Sequence, residues 1–348
     1  MAAFTTVNDP NSFFNSVLYT GTGSSLGVTG VGFQPDFTWI KNRDAADFHV
    51  LTDAVIGATI YRRSNAISED ATNVESLKTF DSDGFTVGTQ AEVNSNTEDY
   101  VSWNWKAGTT TGIAGSPSIT PTSYSFNATS GFSIIEYTGN GSSGATLPHG
   151  LGVAPGLILG KRTVTNNDWV AYHSSLGATK NIVINTTAAP VTTTGIWNDT
   201  EPTSTLFSLG DNDKINYNTQ PYVAYCFAPK QGYSKMGIYK GNGNADGTSV
   251  WTGFQPAYVL IKETSNADDW NVFDNKRPTF YDPVNPVIKP NTTAADNTTA
   301  SYDVDFLAAG FKLTGTNGGT NTFDAEYIYL AFADQPFVNS NGVPCTAR

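Results

Sequence analysis

The sequence predicts an all-β protein made of three tandem β-sandwich repeats, lectin-like or jelly-roll-like, and three observations favour this class. Only 14% of the 348 residues are charged, whereas a typical globular protein has about 25% and a helical one places such residues on its solvent faces. Aromatic residues make up 12% of the chain, and aromatic side chains favour strands. The third observation is a pattern that recurs three times.

Three stretches of the chain share the same order of anchors. Each opens with a strand that ends in a tyrosine and a glycine turn, at residues 19–23, 137–141 and 239–243. About fifteen residues later a proline precedes an apolar run, and a lysine follows each proline by six residues. These pairs are Pro35 and Lys41, Pro155 and Lys161, and Pro256 and Lys262. A proline at the start of a strand costs no ladder hydrogen bond, so each apolar run is predicted to be a buried strand.

Two further strands complete each stretch. The second strand follows an aspartate, and we align Asp47 with Asp168 and Asp269. The closing strands begin twelve residues after a glycine and occupy 100–105, 222–227 and 327–332. In the first closing strand polar and apolar residues alternate, whereas the other two are apolar on both faces, which predicts strands covered on both sides.

The pattern divides the chain into six parts. We expect an N-terminal docking arm at 1–16, segment one at 17–108, a linker rich in Thr, Gly, Ser and Pro at 109–130, segment two at 131–229, segment three at 230–336 and a tail at 337–348. The arm carries Phe4, Phe13 and Phe14, which are expected to contact another protein. Segments two and three are joined directly and should pack rigidly, while segment one has more freedom unless the linker lies down on a neighbour.

Charge, cysteines and hydropathy exclude several classes of protein. The net charge of −12 disfavours binding to nucleic acid and to anionic membranes. The two cysteines, Cys226 in an apolar run and Cys345 in the tail, cannot form a disulfide framework or a zinc site. Neither a signal peptide nor a transmembrane run is visible. The composition is typical of extracellular proteins, although no export signal is visible. Assembly inside a cell followed by release on lysis would explain both observations, and we expect this route.

Two phrases, at 30–43 and 80–88, resemble a repeat of uncharacterised function that is common in virion proteins of tailed bacteriophages, especially those of marine bacteria such as cyanobacteria. Residues 251–256 and the ending 344–348 fit the same pattern, and the resemblance covers 12–348. It implies a phage structural protein on the tail or the capsid surface, with other virion proteins as partners, and it offers no catalytic residues to carry over. Segment two departs most, because 206–208 lack the Asp-Gly-Phe phrase.

Three motifs could carry chemistry but are better explained as turns. Residues 23–27 match the nucleophile-elbow pattern, and 139–144 match a dinucleotide fingerprint, yet neither is followed by the helix that each site needs. Asp81 and Asp83 could bind calcium, although further ligands are not evident and a β-turn explains the same residues. The sequence therefore predicts hairpin turns at all three places.

Histidines and tryptophans are the remaining candidates for a site. The histidines, His49, His149 and His173, share no metal-ligand spacing, so we interpret them as packed or surface residues. Six of the seven tryptophans lie mostly in strands at matching positions, which predicts core residues, and stacking on sugars is the alternative for each of them. They are Trp39, Trp103, Trp105, Trp169, Trp251 and Trp270. Trp197 lies in a polar loop without a counterpart in the other segments, and it is our candidate for an exposed ligand contact.

These observations lead to one expected function and two alternatives. We expect a virion structural protein, a tail-associated, fibre- or adhesin-like appendage that contacts the host, with no catalytic role, no cofactor and no metal. Its expected partners are other virion proteins, a host-surface glycan or protein, and further copies of itself in a homo-oligomer. The alternatives are a capsid decoration or head-fibre protein and, in another class, a carbohydrate-active hydrolase whose paired carboxylates would meet only in the folded chain.

Overall fold

The computed structural model describes residues 4–278 and 283–345, and this part of the chain is almost entirely β-structure. It contains 25 strands, and its helices are three or four residues long. The prediction of an all-β fold is therefore confirmed. None of the helices in the two described ranges is long and apolar enough to cross a membrane.

The strands of the N-terminal third and of the linker are short and closely spaced. They are β1 (Phe14–Thr20), β2 (Leu26–Thr29), β3 (Phe37–Asn42), β4 (Val50–Asp53), β5 (Ile60–Tyr61), β6 (Ala71–Thr72), β7 (Leu77–Asp81), β8 (Gly84–Val87), β9 (Asp99–Trp105) and β10 (Ser123–Asn127). The helices here are a 3-10 turn at Pro10–Ser12 and α1 (Ala91–Asn94).

The rest of the chain contains further strands and short helices. Segment two contains β11 (Phe132–Thr138), β12 (Ala145–Pro148), β13 (Leu157–Arg162), β14 (Val170–His173), β15 (Lys180–Val183), β16 (Val191–Thr192), α2 (Thr194–Trp197), β17 (Leu206–Leu209) and β18 (Pro221–Phe227). Segment three contains β19 (Ser234–Lys240), β20 (Ser249–Trp251), β21 (Phe254–Glu263), β22 (Trp270–Asp274), a 3-10 turn at Ala300–Tyr302, β23 (Val304–Leu307), β24 (Gly310–Leu313), α3 (Gly318–Asn321) and β25 (Glu326–Pro336).

Each segment forms a two-layered antiparallel sandwich. The larger layers have the orders β1-β9-β3-β4, β11-β18-β13-β14 and β19-β25-β21-β22, the second lying within a seven-stranded sheet that β10, β15 and β16 extend. The smaller layers are β2-β8-β7, β12-β17 and β20-β24-β23. Buried residues of the two layers pack together in each segment, for example Val28 and Phe85 of the small layer with Tyr100 of the large one.

The inner faces of the three large layers meet in one shared hydrophobic core. Alternate residues of each closing strand enter it, so that the other residues of the same strand face the small layer. The inward residues are Val101, Trp103 and Trp105 of β9, Val223, Tyr225 and Phe227 of β18, and Ile328, Leu330 and Phe332 of β25. The outward residues of β18 and β25 are buried as well, which confirms that both closing strands are covered on both sides.

The linker lies down on segment two. Its strand β10 pairs with β11, Ile119 is buried, and the Ile119 amide donates to the Thr146 carbonyl at 3.0 Å. The Thr109 and Phe126 backbones also bond to each other within the linker. Segment one is therefore held against segment two. The sequence predicts that segment one loses its freedom if the linker packs against a neighbour, and the linker does so.

A tryptophan bond joins segment two to segment one, and another joins segment three to segment two. The indole Nε1 of Trp169 donates to the carbonyl oxygen of Arg63 at 2.9 Å. The indole Nε1 of Trp270 donates to the carbonyl oxygen of Val183 at 3.1 Å. Each bond satisfies a buried donor, which would otherwise cost free energy.

A histidine makes the equivalent bond from segment one to segment three. Nδ1 of His49 accepts from Trp39 Nε1 at 2.9 Å, so the ring proton lies on Nε2, which donates to the Lys289 carbonyl at 3.2 Å. The three bonds thus connect segment two to segment one, segment three to segment two, and segment one to segment three. Together they close a ring around the three segments. His49 occupies the place of Trp169, so aligning Asp47 with Asp168 is wrong by one residue.

The asparagines that follow the second strands support the corrected alignment. The backbone amides of His49, Trp169 and Trp270 each donate to an asparagine side-chain oxygen. These asparagines are Asn65, Asn185 and Asn291. In strand pairing, Asp53 lies opposite Phe37 and His173 lies opposite Leu157. These pairs align segment one with segment two at the same offset as His49 with Trp169.

A second ring of contacts lies at the ends of β4, β14 and β22. It joins Tyr225 Oη to Asp53 Oδ2 at 2.7 Å, Trp103 Nε1 to Asp274 Oδ2 at 2.9 Å, and His173 Nε2 to the Tyr329 carbonyl at 3.1 Å. Each contact again connects two different segments. The three sandwiches are therefore joined by polar bonds as well as by the shared core.

The predicted N-terminal docking arm is wrong for most of its length. Phe14 belongs to β1 and is fully buried against Trp105 and Phe332, with ring centroids 5.0 Å from both. Val7 is buried too, and the Asn8 side chain donates to Ser340 Oγ at 2.8 Å. Aromatic side chains gain more by entering the shared core than by staying in water. Residues 1–3 of the arm and 346–348 of the tail lie outside the described residues.

Candidate binding groove

Trp197, our predicted exposed contact, is buried. It ends the short helix α2, is 2% exposed and meets Tyr172 edge-on at a centroid distance of 6.0 Å. The Thr193 hydroxyl caps this helix by accepting from the Gly195 amide at 3.2 Å, and the turn directs Ile196 and Trp197 into the core of segment two. The prediction is wrong because a four-residue helix is hard to see in a polar loop.

Trp251 is the exposed tryptophan instead, so the prediction that it is a core residue is wrong. The other six tryptophans are buried, whereas Trp251 is 62% exposed. It ends β20, the edge strand of the small layer in segment three, where it pairs with Gly310. The corresponding positions in the other segments are Thr29, opposite Gly84, and Pro148, opposite Leu206. Neither of these positions carries a tryptophan.

Trp251 forms one wall of a surface groove. The cavity has a volume of about 510 Å³, which lies within the range of small-molecule sites, about 300–1,000 Å³. Phe337 meets the indole edge-on at a centroid distance of 5.5 Å. Phe4, Pro229 and Val338 supply further apolar surface. The groove therefore offers an aromatic wall that is open to solvent.

Two lysines place positive charge in the lining of the groove. Lys235 Nζ donates to the Trp251 carbonyl at 2.6 Å, and Lys230 Nζ donates to the Leu151 carbonyl at 3.3 Å. Among the described residues neither forms an ion pair, and none of the described lining residues is acidic. Burial lowers the pKa of both ammonium groups. In a chain with 31 acidic and 19 basic residues, this is a local reversal of charge.

A second cavity, of about 390 Å³, lies between segment one and the linker. Asp36 contributes its carboxylate, which accepts from the Ala107 amide at 2.8 Å and from Ser125 Oγ at 3.4 Å. Burial raises the pKa of Asp36 in spite of these bonds. The bond from Ser125 joins the linker to segment one, and no other described acidic residue lines this cavity.

The strongest charge clusters are enclosed at the segment junctions. Arg62 forms ion pairs of 2.5–2.9 Å with Asp53, Asp70 and Glu136, and it also donates to Tyr225 Oη. Burial, together with the neighbouring carboxylates, outweighs the attraction of Arg62 and raises the pKa of Glu136 to about 7. These carboxylates face one another inside the protein and do not line the groove.

The lysines that recur in the three segments are structural. Burial lowers the pKa of each to about 8, a shift that is also found in lysines that act as bases. Their Nζ atoms bind backbone carbonyls, however: Lys41 those of Asn42 and Ala45, Lys161 those of Ile67 and Asn167, and Lys262 those of Thr187 and Glu263. Lys41 and Lys161 thus fix the loops that follow their strands, and Lys161 and Lys262 also bind a carbonyl of the preceding segment.

The sequence predicts hairpin turns at three motifs, and the prediction is confirmed at Asp81 and Asp83 only. The other two motifs are turns that connect the large layer to the small one, because β1 and β2, like β11 and β12, belong to different sheets. Residues 23–27 lead into β2, and 139–144 lead into β12, both of which are strands. Asp81 and Gly84 face each other at the β7–β8 hairpin, and the Asp83 carboxylate accepts from the amides of Gly30 and Gly32. The glycines and aspartates of these motifs therefore serve to form turns.

Histidines and cysteines of the described residues also serve packing. The three histidines are buried, and burial lowers the pKa of His149 and His173 to about 4. Cys226 is buried in segment two, where its thiol pKa is raised to about 12, while Cys345 is exposed. No group of three or more His, Cys, Asp or Glu residues in the described ranges could hold a metal ion.

Comparison with known families places the chain in one of them. A family described as a domain of unknown function, DUF7483, matches residues 9–336, which is nearly the whole chain. The protein belongs to this family. The matched range runs through all three segments. A comparison with curated proteins found no match.

Proposed function

We propose that this protein is a structural component of a bacteriophage virion, a tail-associated surface appendage that contacts the host and has no catalytic role. The observation that carries the binding role is the Trp251 groove, an exposed aromatic wall on an otherwise well-packed body. The placement in a virion is supported by the resemblance of residues 30–43 and 80–88 to repeats of phage virion proteins.

The packing of the chain suits a component that must persist outside a cell. Polar bonds close two rings between the segments, and the linker is paired rather than free. A body held in this way presents its surface in a fixed orientation, which lowers the entropy lost on binding. We include a homo-oligomer in the proposal, and sedimentation equilibrium of the purified protein measures the number of copies.

Labelled antibody on intact phage particles tests the placement. We expect label at the tail and none on the head. Uniform label over the head would replace the tail assignment by a capsid decoration or head-fibre protein. Particles that carry no label, while the infected-cell lysate contains the protein, would contradict a virion role altogether.

An assay for released reducing sugar tests the non-catalytic role. Glycosidases place two carboxyl groups about 5–10 Å apart at the scissile bond, whereas the described lining of the groove contains none. We expect no reducing sugar from host envelope glycans. Release that is lost when one carboxylate is substituted would make the protein a hydrolase.

A further inference from the structure

We propose that the Trp251 groove binds an acidic saccharide, a short glycan that carries carboxylate groups. The indole would lie against the apolar face of a sugar ring, and the ammonium groups of Lys230 and Lys235 would pair with the carboxylates. This inference names the ligand class for the proposed host contact and rests on that function.

The indole is held in place before any ligand arrives. Trp251 pairs with Gly310 in the sheet, its ring meets the edge of Phe337, and its carbonyl accepts from Lys235. Burying a large aromatic side chain would stabilise the chain by about 1.5–3 kcal/mol, which this residue forgoes by remaining 62% exposed. A fixed, exposed aromatic ring is well suited to a flat apolar partner such as a sugar face.

The lysines select for negative charge. An ammonium group has three donors, and each Nζ uses one of them on a backbone carbonyl, so that two remain for ligand oxygens. An anion would also compensate a charge that the groove already partly desolvates. A neutral sugar would leave the ammonium charge unpaired. An apolar peptide segment would bury that charge without a partner.

The net charge of −12 restricts the ligand to a short one. A long polyanion such as nucleic acid would extend beyond the groove and meet the negative surface elsewhere. The cavity of about 510 Å³ has the size of a small-ligand site. Both features favour recognition of one or two acidic sugar residues within a glycan.

Calorimetric titration of the full-length protein with trigalacturonate and with trimannuronate tests the inference. We expect at least one of them to bind saturably, and the carboxyl-reduced, neutral trisaccharide to bind at least about 10-fold more weakly, or 1.4 kcal/mol. Trp251→Ala and Lys235→Gln should each weaken binding by about 10-fold. An unchanged unfolding temperature of these variants shows that the fold is intact.

Two matched variants serve as controls. Phe323 is exposed at 79% and Lys180 is exposed, and neither lines the groove. Phe323→Ala and Lys180→Gln should leave the affinity unchanged.

Three outcomes would overturn the inference. They are no saturable binding of either uronate up to about 10 mM, equal affinity for the neutral sugar, or full affinity in the Trp251→Ala variant. An acidic, aromatic peptide that binds through Trp251 while the uronates do not would assign the groove to a protein partner instead. Because this test uses purified protein, its failure is independent of where antibodies label the virion.

Discussion

The junction tryptophans and the groove tryptophan use the same side chain in opposite ways. Trp169 and Trp270 are buried and donate across segment junctions, whereas Trp251, only nineteen residues before Trp270, stands in solvent. Trp197 shows that lacking a counterpart is not enough to place a residue at the surface. The secondary-structure element that carries each tryptophan decides whether the side chain is buried. Trp197 lies on α2, which faces the core of segment two, while Trp251 lies on β20, an edge strand of a small layer.

The largest expected effect comes from removing a junction tryptophan. Trp270→Ala leaves a cavity in the shared core and an unsatisfied carbonyl at Val183, so we expect the free energy of unfolding to fall by about 4 kcal/mol. The control, Trp251→Ala, should change it by less than about 0.5 kcal/mol. Urea denaturation of both variants makes the comparison, and equal losses would contradict the different roles of the two residues.

The same contrast applies to cations. Arg62→Met leaves Asp53, Asp70 and Glu136 without their buried counter-charge, and we expect a loss of about 3 kcal/mol. Lys235→Gln in the groove should cost less than about 1 kcal/mol because that lysine has no described ion pair. The same urea experiment measures both, and a nearly neutral Arg62→Met would show that the junction tolerates its charges unpaired.

His49 should make stability depend on pH in the acidic direction. Burial lowers its pKa well below 6.5, so the folded chain keeps the ring neutral while the unfolded chain takes up a proton below about pH 6.5. The contribution of this group is therefore present above pH 6.5 and is lost as the pH falls. Between pH 7.5 and 5.5 we expect wild type to lose about 1 kcal/mol more than His49→Gln, measured by urea unfolding. Parallel pH profiles would argue against a neutral His49.

Glu136 should act with the opposite sign. Its pKa is raised to about 7 by burial, so the folded chain holds a proton that the unfolded chain releases at lower pH. The contribution of this carboxyl to stability then falls as the pH rises from about 4.5 to 7. Glu136→Gln should remove this decline, so that its stability relative to wild type increases from pH 5 to pH 8 in thermal unfolding. A constant difference between the two proteins would contradict the raised pKa.

Local patterns could be predicted from the sequence, whereas contacts between segments could not. The turns at 23–27 and 139–144 depend on neighbouring residues, and the structure has turns there, although they connect two layers and not two paired strands. The alternation in 100–105 predicts a strand with one polar, open face, but Ser102 and Asn104 are buried, so β9 is covered on both sides like β18 and β25. The shared core depends on residues from all three segments, such as Phe14, Phe37 and Phe332, which no local pattern connects. For the same reason Phe14 was assigned to an arm.

The site was predicted less well than the fold, because exposure depends on tertiary packing. Trp251 and Trp270 both belong to strands, and only the layer order shows that the strand of Trp251 lies at an edge of its sheet. His49 replaces a tryptophan at a junction, a substitution that a search for similar residues would miss. A comparison of hydrogen-bond donors rather than residue types would have aligned these positions.

Differential scanning calorimetry of the full-length protein tests most directly whether the three segments form one unit. A shared core and two closed rings of contacts mean that no segment can unfold without exposing the inner faces of the other two. We predict a single transition whose calorimetric and van't Hoff enthalpies agree. Two or three separate transitions, each with about the enthalpy of a hundred-residue domain, 60–80 kcal/mol, would show that the segments are independent sandwiches.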